Sequence, residues 1–119
     1  MALNRFSETE MHDLTFRACV AAVAEGFPHL AVEHIVEPPH PWFDAALARQ
    51  VVLHLMVARF SIPRRRINLD RGWTREMIQR GIGVIDNRLD HPTFEAHYRR
   101  IAARAEALLA DLIRKAAAA

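Results

Sequence analysis

An all-α bundle of about four to six helices, closed by a long C-terminal helix, is what this sequence predicts, and three observations lead there. Apolar residues recur at helical spacing in separate stretches, capping residues stand ahead of those stretches, and no run alternates with the period of two that a strand requires. The 119 residues suit one domain with a single core, so 1–119 is read as one helical unit. Hydrophobic residues at 51% and charged residues at 25% are ordinary globular values and exclude a disordered or fibrous chain.

Ser7, Glu8, Thr9 and Glu10 have the form of a capping box, and the Ala- and Val-rich run from Met11 to Glu25 stops at Gly26, Phe27 and Pro28. A first helix is expected there. Pro28, Pro38, Pro39 and Pro41 remove backbone donors, so 28–41 reads as a connecting loop in which Leu30 to Val36 can form a short turn. From Trp42 to Phe60 the side chains of Phe43, Leu47, Val51, Leu55 and Ala58 share one helical face, which marks the central core helix. Ser61 as a cap and Pro63 in a first turn start a brief helix over Arg64 to Leu69.

Asp70, Arg71 and Gly72 then supply a turn, and Thr74 caps a helix with Met77, Ile78, Ile82 and Ile85 on its apolar face. Gly81 and Gly83 weaken that helix by roughly 1 kcal/mol each relative to Ala, and Gly81 is a place where another helix can cross closely. Phe94, Tyr98, Ile101, Ala105, Leu108 and Leu112 follow as a heptad-like stripe on a long terminal helix, whose final alanines are expected to fray.

The net charge of +2 conceals an uneven distribution along the chain. Residues 1–58 carry three basic side chains and seven acidic ones, whereas 59–80 carry Arg59, Arg64, Arg65, Arg66, Arg71, Arg75 and Arg80 against only Asp70 and Glu76. Every basic residue of that segment is arginine, whose planar fork suits phosphate and base edges, so the expected partner is an anionic polymer. The order of short basic helix, glycine turn and second helix is that of a helix-turn-helix over about 61–88. In such a unit Trp73, Thr74, Arg75 and Gln79 are candidates for base or sugar contact, with Arg75 foremost. Arg64, Arg65, Arg66, Arg71 and Arg80 are candidates for phosphate contact. Trp73 also suits an inter-helix gap, and Glu76 is favourable in a first helical turn whether or not DNA is present.

Ala48, Arg49 and Gln50 leading an apolar helix, then a short basic helix, a glycine turn and a helix ending in Ile85, resemble the C-terminal DNA-binding domain of the bacterial replication initiator DnaA. The likeness runs over about 44–112. Phe27 to Val32 is similar to the lead-in of small stand-alone proteins built on that domain, and Val84 to Phe94 is similar to the stretch after their recognition helix. The resemblance implies a Trp-repressor-like bundle that binds duplex DNA as a regulator of transcription or replication, with Arg49 and Gln50 on the DNA backbone. The family's signature at the start of its recognition helix reads Arg, Asp, His, Thr, Thr. The ungapped positions here are Trp73, Thr74, Arg75, Glu76 and Met77, so the family's origin sequence is not the expected target. Where the family carries a basic minor-groove loop, this chain has Pro38, Pro39, His40, Pro41 and Trp42. The alternative is a protein-interaction module, or a homodimer through the terminal stripe, that keeps the fold without the sequence readout.

Other classes find little support. His29, His34 and His40 near Glu33 and Glu37 match no familiar metal-ligand spacing, so no metal or other cofactor is expected. His54, on the core helix, reads as a hydrogen-bonded, partly buried side chain. No Gly-rich phosphate loop, nucleophile elbow or second cysteine is present; neither an enzyme nor a nucleotide binder is expected, and Cys19 reads as a small buried hydrophobe. The charged N-terminus and the lack of an apolar run of about 18 residues predict a cytoplasmic protein without a membrane span.

Overall fold

The computed structural model describes residues 7–37 and 43–118, and all its regular structure is helical. Six α-helices follow one another: α1 (Glu8–Gly26), α2 (Val32–Val36), α3 (Phe43–His54), α4 (Arg64–Arg71), α5 (Arg75–Arg88) and α6 (Pro92–Ala118), with a π-helical turn over Leu55–Arg59 after α3. The Pro38 to Trp42 segment lies outside the described residues, as do Met1 to Phe6 and Ala119.

Helix α1 starts where its cap predicts. The Ser7 hydroxyl accepts a hydrogen bond from the Glu10 amide at 3.3 Å, and Glu8 and Glu10 place negative charge against the positive end of the helix dipole. Its buried residues run from Leu14 to Val23 and include Cys19 and Thr15, whose hydroxyl is satisfied by the Met11 carbonyl at 2.7 Å. Along α1 lies α6, in the most extensive helix contact of the molecule. They meet closely at Gly26, where a Cβ would stand 2.7 Å from Ile101 Cδ1, and His97 reaches the Gly26 carbonyl at 3.1 Å.

Helix α3 is the centre of the core, with contacts to α1, α2 and α5. Ala45, Leu47, Ala48, Val51, Val52, Leu53 and His54 are all buried, so the helix is enclosed on more than the one face the sequence stripe marks. The ends of that stripe do not belong to the core. Phe43 is 64% exposed and Ala58 is exposed, because a helix surrounded by neighbours is no longer described by a single face. The expected continuous helix to Phe60 also widens, and the Phe60 amide donates to the Leu55 carbonyl five residues back at 3.0 Å.

Ser61 is not a helix cap. Its φ of 56° puts it in the left-handed region at the exit from the π turn, and Pro63 stands at the cap position of α4 without a side-chain bond. A polar tie centred on a buried imidazole joins three helices: His54 Nδ1 lies 2.6 Å from the Tyr98 hydroxyl and Nε2 lies 2.7 Å from Asp86 Oδ1. It fixes α5 and α6 to α3 through one imidazole that is 6% exposed. The helix α6 runs through Ala118, beyond the point where fraying was expected, because alanine is the strongest helix former. Among the described residues no helix is long and apolar enough to cross a membrane.

Candidate nucleic-acid interface

The basic segment folds into α4, a turn at Gly72 and α5. Gly72 takes φ 71°, a left-handed conformation in which a Cβ is unfavourable, and its amide donates to the Asn68 carbonyl at 3.0 Å. The Asn68 side chain then donates to the Trp73 carbonyl at 2.7 Å, and the Thr74 hydroxyl accepts from the Met77 amide at 3.1 Å. These bonds set the angle at which α5 leaves the turn. Gly81 brings α5 against α3, since a Cβ there would stand 2.8 Å from Leu53 Cδ2 and 3.3 Å from Gln50 Cγ.

Within this frame the seven arginines of 59–80 divide into two groups. Arg59 pairs with Glu106. Arg66 bonds the Thr9 hydroxyl at 3.3 Å and lies 3.7 Å from Asp70, while Arg71 lies 3.7 Å from Asp13 and stacks 4.3 Å above the Phe16 ring. These two were expected on phosphate, yet the fold employs them to hold α4 against α1. Arg64, Arg65, Arg75 and Arg80 are exposed, and none has an acidic partner at salt-bridge distance among the described residues.

Three of the unpaired four converge. Arg64, Arg65 and Arg75, with Asn68, Ile78 and Gln79, line an open groove of about 630 Å³ between α4 and α5. Its floor is the apolar edge of Ile78, and its walls present guanidinium and amide donors. The long, flexible donors suit anionic oxygens better than a rigid small molecule. The groove includes Asn68, which the sequence reading did not single out; its position four residues after Arg64 on α4 was the available signal.

Trp73 is 9% exposed and meets Phe16 edge to face at a centroid distance of 6.1 Å, so its ring fills the gap between helices. Thr74 is exposed, with its hydroxyl committed to the α5 cap. Arg49 and Gln50 lie beside Trp73 and Met77 in a small cleft on the α3 side of α5, with the Arg49 guanidinium 5.9 Å from the Trp73 ring centroid. Partial burial lowers the Arg49 pKa. Glu76 is exposed in the first turn of α5.

Among the described residues no three His, Cys, Asp or Glu side chains are placed to hold a metal ion, and His29 is engaged with Asp44 at 3.1 Å. His40 lies outside the described residues. No family model matches the chain, and no curated protein or solved structure matches it.

Proposed function

We propose that the protein binds duplex DNA through the α4–α5 groove, as a helix-turn-helix in which α5 is the recognition helix. The observation that carries this is the convergence of Arg64, Arg65 and Arg75 on one groove without acidic partners. Arg66 and Arg71 have carboxylates beside them, whereas Arg64, Arg65 and Arg75 have none at salt-bridge distance among the described residues. Leaving several unpaired on one face produces a local positive field that an anionic polymer neutralises. A short helix, a glycine turn and a capped second helix make the unit in which the second helix enters the major groove with its first residues on base edges.

On this reading Arg64, Arg65 and Arg80 contact phosphates, and Arg75 and Gln79, in the first turns of α5, reach base edges. Arg49 and Gln50 flank α5 and extend the backbone contact. The resemblance to the initiator DnaA rests on the helix order read in the sequence, and it would make the chain a cytoplasmic, non-enzymatic regulator with a target different from the family's. The expected partner is DNA, with no nucleotide or other cofactor and no membrane.

Arg65→Ala is expected to weaken all duplexes alike. Arg75→Ala is expected to cost about 1–3 kcal/mol on the preferred sequence and to relax preference. Competition between selected and scrambled duplexes measures both. Equal, salt-independent binding by wild type and both variants would overturn the assignment in favour of the protein-interaction module.

A further inference from the structure

Gly83 has no contact that explains it among the described residues. It lies in the body of α5, it is exposed, its φ is ordinary, and a Cβ placed on it would meet no described atom within 4 Å. Gly81, two residues earlier, sits against α3, where a Cβ would stand 2.8 Å from Leu53 Cδ2. Alanine at 83 would give a more stable helix and would clash with nothing. A mid-helix glycine with open space around it leaves room for another backbone to come close.

We propose that Gly83 is the point of closest approach between α5 and a strand of duplex DNA, the missing side chain leaving room for the sugar–phosphate backbone. The proposal rests on the duplex-binding reading of the α4–α5 groove and says how deep α5 sits. Arg75, Gln79 and Gly83 follow one another at steps of four residues, so they share one face of α5, and the first two line the groove. Arg80, unpaired and exposed, stands three residues before Gly83 and supplies positive charge beside it. The nearest acidic group on α5, Asp86, stands three residues after Gly83 and is 61% exposed, with its Oδ1 2.7 Å from His54 Nε2.

The test compares wild type, Gly83→Ala and Gly83→Leu in thermal unfolding and in anisotropy titrations with one labelled duplex. Gly83→Ala is expected to melt about 3–5 °C higher, because the helix gains propensity. It is expected to bind DNA about 5-fold more weakly, and Gly83→Leu more than about 20-fold more weakly, since a side chain there collides with the strand. The dependence of affinity on salt stays the same, as no charge is altered. Variants that bind as well as wild type would overturn the role of Gly83 and leave the DNA assignment standing. A wild type that binds no duplex at low salt would overturn both.

Discussion

Cys19 shows how burial alone decides the chemistry of a side chain. Its thiol is fully enclosed in the core, and burial pushes its pKa from an ordinary value near 9.0 up to about 12. The unfolded chain ionises first, so the stability this group contributes is complete below pH 9 and is lost as the pH rises toward 12. Burial moves the Tyr98 hydroxyl in the same direction. Urea unfolding at pH 10 is expected to find Cys19→Ala less alkali-sensitive than wild type by on the order of 1 kcal/mol. The native thiol should resist Ellman's reagent until urea is added; rapid labelling of the folded protein would contradict its burial. Such residues were legible in the sequence where a local rule acts alone: Cys19 among alanines and valines, Thr74 at a helix start, Gly72 at a turn. Ser61 was not, because its left-handed φ is imposed by the exit from a π turn that no local pattern encodes.

The helices themselves follow from caps, prolines and apolar spacing, and the bounds of α1, α4 and α5 lie close to those the sequence predicts. The least predictable element is α3, since a helix buried on several sides carries no single stripe, and its π-helical end leaves no mark in residue type. The contact of α3 with α5 depends on Gly81, whose Cβ position is already 2.8 Å from Leu53. Gly81→Val is expected to destabilise the protein by about 1–3 kcal/mol in urea unfolding, because the gain from helix propensity is outweighed by overpacking. A variant as stable as wild type would show that α3 and α5 separate easily. The two glycines of α5 thus have opposite meanings, which spacing alone could not separate. One is filled by a neighbour within the fold and the other faces open solvent.

For the whole molecule, the charge division was legible in the sequence and its use was not. Counting arginines locates positive charge in 59–80, but only the folded arrangement divides it into Arg59, Arg66 and Arg71, which brace helices, and Arg64, Arg65, Arg75 and Arg80, which stand unpaired. Asp70 stands four residues after Arg66, but the other acidic partners come from distant parts of the chain: Glu106 from α6 and Asp13 from α1. Sequence neighbours could not have revealed them. The same folding step moves Trp73 from a candidate stacking surface into the core, and adds Asn68 to the groove wall. The molecule measures about 39 × 27 × 25 Å, and the groove lined by Arg64, Arg65 and Arg75 lies between α4 and α5.

The division of the arginines is tested most directly by anisotropy titrations of a labelled random-sequence duplex across a series of salt concentrations. Wild type is compared with Arg64→Ala/Arg65→Ala and with Arg66→Ala/Arg71→Ala. With about four phosphates neutralised, the logarithm of wild-type affinity should fall against the logarithm of salt with a slope of about −3 to −4. Removing Arg64 and Arg65 should make that slope shallower by about 2 while leaving the fold intact. Removing Arg66 and Arg71 should lower stability and leave the slope of the folded protein nearly unchanged. Binding that does not respond to salt, or a slope that changes equally in both variants, would contradict the assignment of the groove to DNA.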